Sequence, residues 1–434
     1  MQHRGQEGAG IISSDNGSFI THKGMGLVAD VFNKENLNKL TGYSAIAHNR
    51  YATCGGSEMD NLQPFYKKIN GEDLALAHNG NLINADEIKD RLRAKGVQFK
   101  SSSDSECFLH LADELDPKLT DLEKFQKISL QVRGAYSLVI LNQTGLLALR
   151  DPSGVRPLSL GKLGNGYVVA SETCCFDLLG AEFVRDIEPG EIIEISGGSD
   201  SAQSQIKSHR LDQVAPKALC IFEHVYFARP DSKINGQNVY MSRRALGREL
   251  AKEYPVEADL VIPVPDSGVP SSIGYSQQSG IPLELGLIRN HYVGRTFIEP
   301  SQEIRDFGVK IKLNANPSLL EGKRIIVVDD SIVRGTTSRK IIQMLRRAGA
   351  KEIHFRISSP PTVSPCYYGI DTPTKDELIA SKMTLEEIRQ FIEADSLGYL
   401  SIEGMYRAVN ELENGKMSGF CDACFTNNYP LGIS

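Results

Sequence analysis

The sequence has no basic excess. Its 48 lysines and arginines face 54 aspartates and glutamates, a formal net charge of −6. It therefore lacks the surplus cation that releases counterions from a nucleic-acid backbone or holds an anionic membrane. No apolar run reaches the length of a bilayer span, and the opening "MQHRGQEGAG" has no apolar signal-peptide core. A cytoplasmic protein without nucleic-acid or membrane partners is expected. In that compartment the eight cysteines read as core residues, reactive thiols or metal ligands before disulfides. Internal repeats and low-complexity tails are also missing.

What is present exceeds one hydrophobic core, since 434 residues predict two domains. The polar, Gly/Ser-rich stretch "EISGGSDSAQSQIKSHRLDQVAP", residues 194–216, marks a boundary, giving units 1–206 and 207–434. Before it, short β-rich runs such as "YSAIAHNR", "LALAHNG" and "AYSLVILN" alternate with a few helices. One helix is expected in "NADEIKDRLRAKG", with Asn84 and Glu87 at capping-box spacing and Gly96 at the stop. After the boundary, "LVIPVP", "RIIVVDD" and "EIHFRIS" are continuous apolar runs of parallel-sheet character. An α+β unit followed by an α/β unit is predicted.

The run "RIIVVDDSIVRGTTSRK" ends a buried strand on two adjacent acids, Asp329 and Asp330, and opens into a helix from Thr336. A loop at the carboxyl end of a parallel strand is where open α/β sheets bind ligands. The backbone N–H groups entering the helix, with the hydroxyls of Ser331, Thr336 and Thr337, form an anion cradle. Carboxylates would repel that anion, so Asp329 and Asp330 should face ribose hydroxyls or a Mg²⁺ that bridges to a second anion. A sugar phosphate is implied. The bland alternative is ordinary strand-to-helix punctuation.

The run "VVDDSIVRGTTS" resembles the fingerprint of type I phosphoribosyltransferases, and more narrowly that of the glutamine phosphoribosylpyrophosphate amidotransferase family. "LVIPVPDSG" is similar to that family's pyrophosphate loop, "YVGRTFIEPSQEIRDFGVKIKLN" to its mobile catalytic loop, and "CIFEHVYFARPDS" to the entry of its transferase domain. The resemblance implies that phosphoribosylpyrophosphate (PRPP) is held by Asp266, Ser267 and Gly268 and by Asp329, Asp330, Ser331, Arg334, Gly335, Thr336 and Thr337. Ser267, Asp329 and Asp330 would take Mg²⁺. The loop cations Arg295, Arg305, Lys310 and Lys312 would close as a water-excluding lid; a solvated basic loop is the alternative.

"QHRGQEGAGI", "HNRYATCG", "AHNGNLIN" and "SSSDSE" resemble the family's glutamine-hydrolysing domain, of the N-terminal-nucleophile type. The resemblance gives Arg50 the glutamine α-carboxylate, Asp104 the α-ammonium, and Asn79 with Gly80 the oxyanion hole. Alternatively, Asp104 is a helix N-cap and Asn79-Gly80 a hairpin turn. The family's nucleophile is an N-terminal cysteine on an apolar strand upstream of "QHRG". This sequence starts at Met1 beside that motif, and Cys54, Cys107, Cys174 and Cys175 cannot supply a terminal α-amine. An amino-truncated chain using ammonia rather than glutamine is therefore expected.

The C-x-x-C pair Cys421 and Cys424 alone fits zinc, a redox pair or nothing. With Cys220 and Cys366 it matches the motifs of a family branch that carries a [4Fe–4S] cluster, with structural Zn²⁺ as the alternative. The family also implies a homo-oligomer, dimer or tetramer, inhibition by purine nucleotides, and a sheltered ammonia passage between domains. The implied reaction turns PRPP and glutamine or ammonia into 5-phosphoribosylamine and pyrophosphate. A non-catalytic PRPP-binding regulator is the alternative, against which the lid argues.

Overall fold

The computed structural model describes residues 1–433 except 16, 52–57, 198–202, 214, 291–312 and 411–418; sheets are counted over those described residues. The strand Glu72–Leu82 shows how the first unit is layered. Its side chains alternate in direction, so Leu74, Leu76 and Leu82 enter one core while Ala75 and Ala77 enter another. The first core lies under the helices Ala85–Ala94, Glu106–Glu114 and Asp121–Ser129, where Phe108, Leu111, Phe125 and Ile128 are buried.

Glu72–Leu82 belongs to a six-stranded antiparallel sheet in the order Gln205–Arg210, Glu191–Ser196, Gly145–Arg150, Gly134–Leu141, Glu72–Leu82 and Phe65–Ile69. Its other face meets two three-stranded sheets. Ile12 and Ile46 seat the sheet Ser18–Met25, Gly8–Asp15 and Ser44–Arg50. Leu158, Leu160 and Ile193 seat the sheet Glu182–Asp186, Ser159–Leu163 and Gly166–Ala170. The strand Gln205–Arg210 runs through the expected boundary at 206/207, so ladder hydrogen bonds carry the first unit to Arg210.

The helix Ala85–Ala94 forms where expected and Gly96 takes φ +87 beyond it. The expected capping box does not form, because the Asn84 amide is used elsewhere. It donates to Gln131 O at 3.0 Å and accepts from Arg133 N at 2.8 Å, tying the helix start to the turn before Gly134–Leu141.

The second unit is built on a four-stranded parallel sheet, Leu260–Pro263, Arg324–Asp329, Glu352–Ile357 and Ser396–Tyr399. Ile325 and Val327 pack under Thr336–Arg347 and Leu385–Ile392, whereas Ile326 and Val328 pack under Val239–Glu253, Val269–Ser279 and Ile402–Asn410. Burial on both faces is why this strand reads as an unbroken apolar run. Among the described residues, no helix is long and apolar enough to cross a membrane.

Candidate active sites

The Arg324–Asp329 strand delivers its two acids to the carboxyl edge of the parallel sheet. Asp329 and Asp330 are 8% and 6% exposed. The Asp330 N–H donates to Asp329 Oδ1 at 2.9 Å, and Ser331 Oγ donates to Asp330 Oδ2 at 2.5 Å. Ser267 comes from the neighbouring strand-to-helix turn and hydrogen-bonds the Asp329 carboxyl. Burial, the charge of Asp330 and the bond between the two acids hold the Asp329 carboxyl well above the usual carboxylate range. Such a group wants a proton or a cation.

Ile332 anchors the following loop in the core. Gly335 takes φ +75 at the N-cap of Thr336–Arg347, leaving Thr336 and Thr337 exposed on the first turn beside the acids. Two expected ligand-binding side chains are occupied: Arg334 pairs with Glu377 at 2.8 Å, and Asp266 pairs with Arg289. Gly268 caps Val269–Ser279, packed against Val328 and Val264 backbone. The lid residues Arg295, Arg305, Lys310 and Lys312 lie outside the described residues. The antiparallel pair Leu287–Arg289 and Leu313–Ala315 joins the two ends of that segment.

In the first unit, Arg50, Asn79, Gly80 and Asp104 line one cavity of about 450 Å³. Arg50 ends the strand Ser44–Arg50, is buried, lies 3.8 Å from Glu7 and donates to Asn61 O at 3.1 Å. Asp104 is no helix N-cap; its Oδ2 accepts from Leu82 N at 2.8 Å, while Oδ1 has only long contacts to Ser103 and Ser105 at 3.5 and 3.4 Å. Asn79 and Gly80 are no hairpin turn either. They lie within Glu72–Leu82, registered against Ser137 and Tyr136, and Asn79 Nδ2 donates to Ser171 Oγ at 3.2 Å. The edge strands Ser44–Arg50 and Gly166–Ala170 of the two small sheets both border this cavity.

Phe227 and Gly369 from the second unit also reach the cavity, and sequence reading missed what holds them there. Arg4 bridges Glu172 at 2.5 Å and Glu223 at 2.8 Å, and Arg156 reaches Glu223 at 2.9 Å. The Phe227 ring stacks under both guanidinium groups, at 4.5 and 5.2 Å. Glu172 also accepts from Arg229 N and Ser232 Oγ, each at 2.8 Å. Burial raises the pKa of Glu223 and Glu172, but Arg4 and Arg156 beside Glu223, and the hydrogen bond to His3 together with Arg4 at Glu172, outweigh it and hold both below the usual range. The sequence signal was a charge inside one apolar motif: in "CIFEH" Glu223 interrupts a buried run, whereas the polar "QHRG" gives no local sign that Arg4 is buried.

Cys220, Cys366, Cys421 and Cys424 come together where Leu219–Cys220 pairs with Phe420–Cys421. Burial pushes the Cys220 thiol up to about 12 and raises Cys421 and Cys424, with the neighbouring thiols adding to the shift. Thiols so placed, mutually close and poorly solvated, suit a positively charged centre that takes them as thiolates. Among the described residues, no three His, Cys, Asp or Glu side chains close to single-ion geometry.

Residues 48–177 match the glutamine amidotransferase domain family and residues 234–358 the phosphoribosyl transferase domain family. The amidophosphoribosyltransferase of Bacillus subtilis is 49% identical over all of this chain and 90% of its own length. That of Methanothermobacter thermautotrophicus is 50% identical, again over all of this chain and 90% of its own. The chain belongs to the amidophosphoribosyltransferase family. Two solved structures agree over the whole chain, each with TM-score 0.92 and 48% identity. One is the B. subtilis glutamine PRPP amidotransferase complexed with ADP and GMP, 93% covered; the other is described as the allosteric regulatory enzyme of purine biosynthesis, 92% covered. The α+β unit followed by the α/β unit is therefore the family's architecture.

Proposed function

We infer that this amidophosphoribosyltransferase works through the residues its two candidate sites assemble, and the convergence of Ser267, Asp329 and Asp330 beside an open helix start carries the reading. The 5-phosphate lies on the N–H groups and hydroxyls of Thr336 and Thr337, where the helix field favours an anion. Asp329 and Asp330 face the ribose hydroxyls and, with Ser267, would hold Mg²⁺, whose charge stabilises pyrophosphate as it leaves. The ammonia lone pair forms the C1–N bond, the C1–O bond breaks with its electrons passing to pyrophosphate, and the new amine sheds a proton. The non-catalytic regulator gains no support from relatives named for the transferase activity.

In the first-unit cavity, Arg50 takes the α-carboxylate of glutamine, and Asp104 Oδ1 the α-ammonium. Asn79 Nδ2 and the Gly80 N–H receive the oxyanion. The four cysteines would bind a [4Fe–4S] cluster. Four thiolates suit either a [4Fe–4S] cube or Zn²⁺, and the family motif that the four cysteines match favours the cube. Purine nucleotides as inhibitors are supported by the relative solved in complex with ADP and GMP. A homo-oligomer is supported by the helix Cys174–Leu179 and the edge strand Glu182–Asp186, which expose Leu178, Leu179, Phe183 and Val184.

The test supplies ammonium salt at raised pH with Mg²⁺ and PRPP and measures pyrophosphate release and phosphoribosylamine trapping. Turnover in the wild type, lost in the Asp329→Asn, Asp330→Asn double variant, is expected. Undiminished turnover in that variant removes the assignment of the two acids.

A further inference from the structure

Gly80 is held from two sides. On one side lies Ala135 of the adjacent strand; on the other lies Gly369, a residue of the second unit. A Cβ on Gly369 would sit 2.7 Å from both Cα and C of Gly80 and 2.9 Å from its carbonyl oxygen, so the two backbones touch with no side chain between them. Gly369 has φ +102 and Gly80 φ +151, conformations that glycine alone adopts without strain. One residue further on, Asn81 Nδ2 donates to Tyr367 O at 3.0 Å. The strand that offers the oxyanion N–H is thus gripped by the loop 365–372.

That loop is rooted in the cysteine group. Cys366 N–H donates to Thr372 Oγ1 at 2.6 Å, and Tyr368 N–H donates to Cys366 Sγ at 3.3 Å. The Tyr368 ring is buried beside Cys220 and Cys421, and its hydroxyl donates to Gly432 O at 2.7 Å and accepts from Leu431 N at 2.9 Å. Tyr429 OH closes the loop's start on Pro365 O at 2.6 Å. Two linkages therefore run in series: thiols to loop, and loop to Gly80 and Asn81.

We propose that the loop 365–372 is a positioning element through which the cysteine centre holds the oxyanion strand of the glutamine site. Gly80 has the widest backbone freedom of any residue type, and an oxyanion donor acts only if its N–H is fixed on the point where charge develops. Gly369 removes that freedom from outside the first unit. Loss of the centre releases Cys366, the loop moves off, and Gly80 regains its rotation. The proposal rests on the cluster and oxyanion assignments above.

The experiment is hydrogen–deuterium exchange on the full chain, purified anaerobically, read at Asn79–Leu82 and at the core strand Arg324–Asp329 as an internal control. Cys366→Ser should lose iron and speed exchange at Asn79–Leu82 about tenfold or more, with the control strand unchanged. Gly369→Ala should speed the same amides while keeping its iron, which a general loss of stability would not do. Asn81→Ala, free of backbone strain, should speed Gly80 exchange about fivefold, the worth of one hydrogen bond. Unchanged exchange at Asn79–Leu82 in Cys366→Ser or in Asn81→Ala overturns the proposal. A wild type without iron sinks the cluster assignment instead, and elemental analysis separates that failure from the other.

Discussion

The amide of Asp330 donates to the Asp329 carboxylate at 2.9 Å, and both side chains are buried. Burial and the neighbouring charge raise the Asp329 pKa, so the folded chain prefers that carboxyl neutral. Its stabilising share is present below the unfolded pKa and is lost as pH rises through the folded one. Asp329→Asn should therefore raise the stability of the metal-free protein at neutral pH. The same variant should bind Mg²⁺–PRPP at least about tenfold more weakly. Urea unfolding and calorimetry read the two effects, and a destabilised apo variant would refute the charge argument.

Across the seam, Glu223 answers Arg4 and Arg156 from full burial. Glu223→Ala leaves two buried guanidinium groups without it and should cost about 3–5 kcal/mol. We expect the unfolding curve to split as the two units lose their docking. A single transition shifted by less than about 1 kcal/mol would place the group in an ordinary solvated pair.

The seam also predicts an acid response. Glu172 and Glu223 are held below the usual carboxylate range by facing cations and, at Glu172, by the hydrogen bond to His3, so their contribution is present above the unfolded pKa, about 4.5, and fades as pH falls toward the folded values. Stability against pH should drop more steeply below about pH 5 in the wild type than in a Glu172→Gln, Glu223→Gln variant. Parallel curves would show that other carboxyls govern acid unfolding.

Leu178 is 85% exposed on a short helix leading to an edge strand. Leu178→Asp should shift the protein toward monomer in light scattering if this face joins copies, with little change in monomer stability. An unchanged mass would move the interface elsewhere.

How far sequence reading reached follows from the range of each interaction. Alternation in Glu72–Leu82 and unbroken burial in Arg324–Asp329 leave local periodicities, so both units were legible. Asp329, Asp330 and Thr336 are neighbours in sequence, and Arg50, Asn79, Gly80 and Asp104 do share a cavity. The misses are partnerships between distant positions. Asn84 ties down residues 131 and 133 instead of capping its helix. Asp104 spends one oxygen on Leu82. Arg4 finds Glu223, and Gly80 finds Gly369, with nothing local to announce either pairing.

Because one acid of the second unit pairs with two buried cations of the first, the halves of this enzyme are poor candidates for exchange by recombination. A crossover in the linker between Arg210 and Leu219 that brings in a partner lacking the Glu223 counterpart would leave Arg156 without that counterion and Arg4 with Glu172 alone. Selection would then see a misassembled chimera even though each half kept every residue of its own site. Engineers who wish to graft this transferase half onto another ammonia source must move Arg4, Arg156 and Glu223 as a set, or replace all three with packed apolar side chains.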